Sequence, residues 1–486
     1  MSVETRFHSN EAFGLEKPEF DCGRYTMAFS DQPGGFEVNT DKSLPRRDGM
    51  TPLPLTKDQG QLLSTAIQNQ FGYTTADQAK IALDAYRKNP NETTKKEFEA
   101  KQKQYYDNKS IVTGIHNVRR DKSNPNTIIL DTRPVNFPFS INFSKAESSD
   151  QLTEMASCAS TTLILETSDG MGILQHRSEE AGSWPGTPSA TASGYIDEIP
   201  FEKEEIPKQF MNEGVKTRYL TRRLKKLTTK EVKENALREL DEEIGLDPKD
   251  IFDVRIGAMV HEPKTVHDEF ILSGKTKLTG DQVVEKSADA ARTKKLRPGE
   301  FREKFVLFEI NPENIEKLVT KVKCPIPNSH NSAFVNKGYE QMLKKGSKQQ
   351  ADAWRDKISK GVDQNYVEID DIVKKYTKTL KDKFEKDIKD KNPKATKEEI
   401  EVEVNRLMIP QRQYDLVEAK IKQFKELHPT ATNEQLEAER KKQMNLLPKR
   451  NPNGYSPDFL PEEQGLKGFF KALDEAKFKY RVSKQK

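Results

Sequence analysis

Between Ile111 and Ile310 the chain is dominated by strand-like sequence. The runs "NTIILDTRPVNFPFSINF" (126–143), "CASTTLILETSDGMGILQHRS" (158–178), "IFDVRIGAMV" (251–260) and "EKFVLFEI" (303–310) carry β-branched and aromatic residues bounded by Asn, Asp, Gly and Pro. Within the second, "SDG" fits the turn of a hairpin between "TTLILET" and "MGILQHR". Lys- and Glu-rich stretches with helical spacing flank this region, so a mixed β unit among exposed helices is expected. At 486 residues the chain exceeds one ordinary core. The reading is an irregular arm over 1–56 with one strand near "RYTMAFS", a helical segment over 57–109, an α/β domain over 110–346 and a helical region over 347–486.

Helix starts are legible from capping boxes, in which a Thr and an acid or amide three residues on satisfy exposed N–H groups reciprocally. Thr75/Gln78, Thr94/Glu97 and Thr228/Glu231 have this form. So do Thr396/Glu399 and Thr432/Gln435, which lie in two related strings, "NPKATKEEIEVEVNR" (392–406) and "HPTATNEQLEAERKK" (428–442). Two copies are too few for a solenoid, so the bland reading is a helix-start solution used twice. A charged insertion is expected at about 199–227, ahead of the helix that Thr228 starts and Gly245 closes.

That helix contains "NALRELDEEIGLDP" (235–248). Glu239, Glu242 and Glu243 stand at i, i+3 and i+4, so their carboxylates share one face, while Val232, Ala236 and Leu240 form an apolar stripe that can dock on a sheet. Like charges so placed repel unless a cation sits among them. Two readings stay open on spacing alone: a solvated charged face, or a site for a hard divalent ion.

"RELDEEIGL" (238–246) resembles, position by position, the second half of the signature of the Nudix hydrolase family, Arg-Glu-apolar-x-Glu-Glu-x-Gly-apolar. The resemblance covers about 110–345 and implies a Nudix-like α/β/α sandwich with a mixed sheet, flanked by N-terminal helices and a mostly α-helical C-terminal region. It departs in the first half of the signature: where the family has Gly and Glu, fourteen and eight residues before the arginine, this chain has Leu224 and Lys230. An insertion accounts for this if Gly194 supplies the loop glycine and Glu231 stands in for the glutamate.

The resemblance implies that Glu239, Glu242 and Glu243 bind Mg²⁺ or Mn²⁺ and that Arg238 orients them. The reaction it implies is metal-dependent hydrolysis of a diphosphate linkage in a nucleoside diphosphate joined to another moiety. A further carboxylate from a later loop is expected; Glu300 and Glu303 are first choices, and Glu262, Asp268 and Glu269 follow, with His261 and His267 as weaker candidates. Gly194, Tyr195 and Trp184 are the candidate substrate-binding residues, because the small-residue loop "GSWPGTPSATASGYID" lets backbone approach a phosphate. Phe270 and Phe301 offer stacking surfaces, although burial in the core is the more ordinary use of all these aromatic residues.

An ADP-ribose-like or nucleotide-sugar substrate is expected, since the insertion enlarges one wall of the cleft. The net charge is only +4, from 81 Lys and Arg against 77 Asp and Glu, so nucleic acid is not expected apart from an RNA cap, the substrate of a second reading. The other rival is a catalytically weakened Nudix-fold binding or regulatory protein, its C-terminal helices a surface for a protein partner. No apolar run approaches a membrane span, and three scattered cysteines form no metal or disulfide pattern, so a cytoplasmic setting is expected. The Lys/Gln/Asn-rich helices resemble effectors that intracellular bacteria deliver into host cells without a cleavable signal peptide.

Overall fold

The computed structural model describes residues 19–43, 91–97, 111–136, 157–176, 187–196, 226–262, 267–293, 305–324, 326–407, 431–446 and 466–482, with a few single positions besides. The described chain is mixed α/β around one large mixed sheet. Across it run, in order, β1 (Phe20–Asp21), β2 (Thr26–Phe29), β10 (Ile251–Glu262), β11 (His267–Thr276), β6 (Ser157–Glu166), β4 (Ile111–Arg120), β5 (Thr127–Asn136) and β3 (Glu37–Ser43).

Strand β6 is the hub. It runs parallel to β11 from Cys158 to Glu166, and its other edge takes β9 (Ala192–Tyr195) and the start of β4, both antiparallel. The "SDG" turn forms, with Gly170 at φ +73, but β6 and β7 (Met171–His176) pair only at Glu166 and Gly172. Both edges of β6 are taken by other strands, so β7 swings away to β12 (Phe305–Glu309) and β8 (Pro188–Ser189).

Helices cover both faces. Beneath β6 and β11 lies α1 (Thr229–Ile244), whose Val232, Ala236, Leu240 and Ile244 join Leu163, Leu165, Phe270 and Leu272 in one core. On the other face pack α3 (Pro312–Thr320), α4 (Asn328–Lys345) and the first half of α5 (Lys348–Lys391), joining Ile164, Ile271, Phe334, Tyr339 and Trp354 in a second core. Strand alternation sets this division, sending neighbouring residues of β6 and β11 to opposite cores. Helix α2 (Gly280–Thr293) lies between β11 and β12 in the chain.

The arm expected over 1–56 supplies three strands, and Phe20, Tyr25, Met27 and Phe29 are buried with α4 and α5. The C-terminal residues return as well. Phe469 and Leu473 of α8 (Leu466–Glu475) pack with Phe308, and β13 (Tyr480–Val482) pairs with β12. That strand had no signal in a stretch read as helical. It forms because the edge of β12 is available to it.

The Thr396/Glu399 and Thr432/Gln435 boxes both form, at α6 (Lys397–Leu407) and α7 (Asn433–Leu446). The box expected at Thr94/Glu97 does not start its helix. Asn91 caps there, its Oδ1 accepting from Thr94 N, and Thr94 Oγ1 accepts from Asn91 N, because Asn competes well for the cap position. Thr75 and Gln78 lie outside the described residues. Among the described residues no helix is long and apolar enough to cross a membrane, and Cys22, Cys158 and Cys324 are buried thiols outside any disulfide.

Candidate functional site

Helix α1 begins as the sequence indicates. Thr228 caps it with Glu231 in a complete capping box, and Gly245 ends it at φ +78, its N–H donating to Asp241 O. Glu231 is therefore engaged at the helix start, where its carboxylate accepts from Thr228 N at 2.9 Å, more than two turns before Glu239.

Further along, Arg238 donates to Glu239 Oε1 at 2.6 Å, to Glu242 Oε2 at 3.0 Å and to Asn235 Oδ1 at 2.8 Å. Buried Asn235 in turn donates to Thr161 Oγ1 of β6 at 2.8 Å, so the guanidinium is tied to the sheet. Glu239 is 13% exposed and Glu242 is 39% exposed. Glu239 lies directly over Gly194, where a Cβ would fall inside its carboxylate. Glu243 Oε2 accepts from Ser193 N at 3.2 Å. The helix thus presents its acids to bare backbone on β9.

Gly194 and Tyr195 part company at this point. On β9, Gly194 stands opposite Thr161 and faces α1, whereas Tyr195 stands opposite Ser160 and faces the other way. The Tyr195 ring lies 5.4 Å from that of His267, centroid to centroid. There, on the α4 side of the sheet, Glu262, His267 and Glu269 each place one ligand atom within 4.8 Å of the others. Among the described residues this is the only group of His, Cys, Asp and Glu so gathered; the α1 glutamates, spread between Arg238 and Ser193, are not.

Hydrogen bonds hold each member from outside. His267 Nε2 lies 2.6 Å from Ser160 Oγ, Glu262 Oε2 accepts from Asn328 Nδ2 at 3.1 Å, and Glu269 Oε1 accepts from Thr162 Oγ1. Burial opposes charge on His267, but the carboxylates of Glu262, Glu269 and Asp268 outweigh it and push the imidazole up to about 9. Burial raises Glu269 above the ordinary glutamate range, against the pull of His267 and Thr162.

Asp268 and His261 pair with each other across the hairpin at 2.7 Å, pointing away from this cluster. Phe270 is fully buried in the α1 core. Trp184, Glu300, Phe301, Glu303 and nearly all of the insertion at 199–227 lie outside the described residues.

Three contributors escaped the sequence reading. Asn235 sits at i−3 from Arg238, a spacing that offered a signal. Ser193 contributes a backbone N–H, which no side chain advertises. His330 of α4 is buried; its Nδ1 accepts from Ala190 N at 3.0 Å and its Nε2 lies 3.5 Å from Ser193 Oγ, a contact between segments 137 residues apart. No protein-family model matches the chain, and no curated protein matches it.

Proposed function

We propose that the protein is a metal-dependent hydrolase that cleaves a diphosphate linkage in a nucleoside diphosphate joined to another moiety. The observation that carries this reading is the meeting of α1 with β9: Glu239 over the bare backbone of Gly194, Glu243 on the Ser193 N–H, and Arg238 holding Glu239 and Glu242. These residues fall in and around the string through which the chain resembles the Nudix hydrolases, and the α/β/α sandwich of that family is the finer form proposed for the mixed sheet.

The site suits Mg²⁺ or Mn²⁺. The donors are carboxylate oxygens, and the bare backbone of Gly194 lets the Glu239 carboxylate seat closely against β9. Glu239, Glu242 and Glu243 would hold the ion, which supplies an activated water and offsets charge on a phosphate oxygen. The chain's own residues do the positioning. Thr161 fixes Asn235, Asn235 fixes Arg238, and Arg238 sets two carboxylates at partly exposed positions where an anionic substrate can approach only once their charge is offset.

The test is phosphate release, after phosphatase coupling, from ADP-ribose, UDP-sugars, NAD, dinucleoside polyphosphates and capped RNA, with Mg²⁺ or Mn²⁺ and with EDTA. The expected result is turnover of one class that EDTA abolishes and that Glu242→Gln and Glu243→Gln each reduce by about 100-fold or more. Full turnover in either variant overturns the roles assigned to α1. Silence across the panel from folded protein overturns the hydrolase and leaves a binding protein.

A further inference from the structure

We propose that Glu262, His267 and Glu269 form a second metal site, for one divalent transition-metal ion of the zinc class, on the opposite face of the sheet from the α1 carboxylates. The proposal is independent of the hydrolase reading. Its ground is the arrangement of three residues on two paired strands: the last residue of β10, the first of β11 and the third of β11 converge so that one ligand atom from each lies within 4.8 Å of the others.

The outer contacts match what a metal site needs. A ligating imidazole is normally fixed through its other nitrogen, and ligating carboxylates are themselves hydrogen-bonded. Here Ser160 engages Nε2 of His267, leaving Nδ1 on the side of Glu262, 3.8 Å from its Oε1. Asn328 engages Oε2 of Glu262, and Thr162 engages Oε1 of Glu269. Each outer partner comes from a packed element, β6 or α4, so the three inner atoms are held in register without one another's help.

One atom calls for a ligand directly. Glu269 is 2% exposed, and its Oε2 accepts no hydrogen bond, although the Ser329 hydroxyl lies near enough to favour its ionised form. A buried carboxylate oxygen left in this state is costly. His267 does not relieve it by hydrogen bonding, since its Nε2 is committed to Ser160, and its approach to Glu262 is too long for a hydrogen bond. A divalent ion satisfies all three inner atoms at once, and two carboxylates with a neutral imidazole balance its charge.

The donor set selects the metal. Mg²⁺ and Ca²⁺ favour all-oxygen shells, whereas one nitrogen with two carboxylates suits Zn²⁺ and its first-row neighbours. Three protein ligands leave one position for water or an anionic group, the pattern of an open site, and Tyr195 stands beside it.

The experiment uses the full chain, stripped with EDTA, dialysed, and titrated with Zn²⁺ against a competing chelator. One tight equivalent is expected in the wild type and in Glu242→Gln and Glu243→Gln, weakened by about 100-fold or more in His267→Ala and Glu269→Gln. X-ray absorption of the wild-type protein carrying one Zn²⁺ is expected to contain an imidazole nitrogen at about 2.0–2.1 Å, a measurement that needs no variant to fold. Absence of tight binding, binding that survives in folded cluster variants, binding lost in the α1 variants, or an all-oxygen shell each overturns the site. Because these readouts are binding and coordination, failure of hydrolysis leaves them untouched.

Discussion

Gly194 and Asn235 divide the work around the α1 acids into space and orientation. Gly194 has an ordinary backbone conformation, so what it supplies is room: a Cβ would overlap the Glu239 carboxylate, the mobile end of a long side chain that can move aside. Gly194→Ala is therefore expected to change stability by less than about 1 kcal/mol while lowering metal-dependent turnover by about 10-fold or more, read from kcat beside a thermal melt. Asn235 acts one step back, between Thr161 and Arg238. Asn235→Ala is expected to lower activity by about 10- to 100-fold, and Asn235→Asp, which keeps the acceptor for Arg238, to retain more of it. If the two variants were equally impaired, the orienting role of that bond would be refuted.

At the level of elements, α1 is specified twice, by its termini and by its stripe. Thr228 and Glu231 satisfy exposed N–H groups, Gly245 reverses the chain, and Val232, Ala236, Leu240 and Ile244 set the rotation that turns the glutamates toward β9. Thr228→Ala is expected to cost about 1 kcal/mol in urea unfolding with the apolar stripe unaltered. These features are local, which is why the helix was legible from sequence. The hairpin at Gly170 was legible only at its turn, since how far β6 and β7 stay together depends on competition from β11, β9 and β12. The cap at Asn91 was misplaced by three residues because Asn and Thr both serve at that position, and local sequence does not rank them.

Across the whole molecule, a buried charge network ties α4 to the sheet. Lys337 is 1% exposed, bonds Glu166 of β6 at 2.8 Å and lies 3.6 Å from Glu340, which Arg255 of β10 also holds at 3.0 Å. Burial works against the ionised form of Glu340, but Lys337 and Arg255 outweigh it and hold its carboxyl below the ordinary glutamate range. Glu166 is lowered in the same way, burial again being outweighed by Lys337. A depressed carboxyl stabilises the fold fully above the ordinary glutamate range, and that stability is lost as the pH falls through the depressed folded values. The urea midpoint is accordingly expected to drop across that acid window. Lys337→Met should lower neutral-pH stability by about 3–5 kcal/mol, by leaving two acids without their shared cation, and should flatten or reverse the acid dependence. An unchanged pH profile in the variant would show that Lys337 does not set these carboxyls.

Sequence by itself determined the local and periodic features: strand-rich runs around a capped amphipathic helix, the three acids sharing one face of it, and the helix starts of the C-terminal region. Each follows from interactions within a few residues, or from a repeat that matches one element's period. Tertiary structure alone decided which strands meet, that residues 19–43 and 466–482 join the sheet and its cores, and that Gly194 and Tyr195 face opposite sides. It also gathered Glu262, His267 and Glu269, residues the sequence reading had offered separately as loop candidates. Glu262 and His267 pair across the β10–β11 hairpin and Glu269 follows two residues on along the same face, but the Ser160, Thr162 and Asn328 bonds that hold them rest on the parallel register of β11 with β6 and on the seating of α4, and a long-range register leaves no mark in either strand's own sequence.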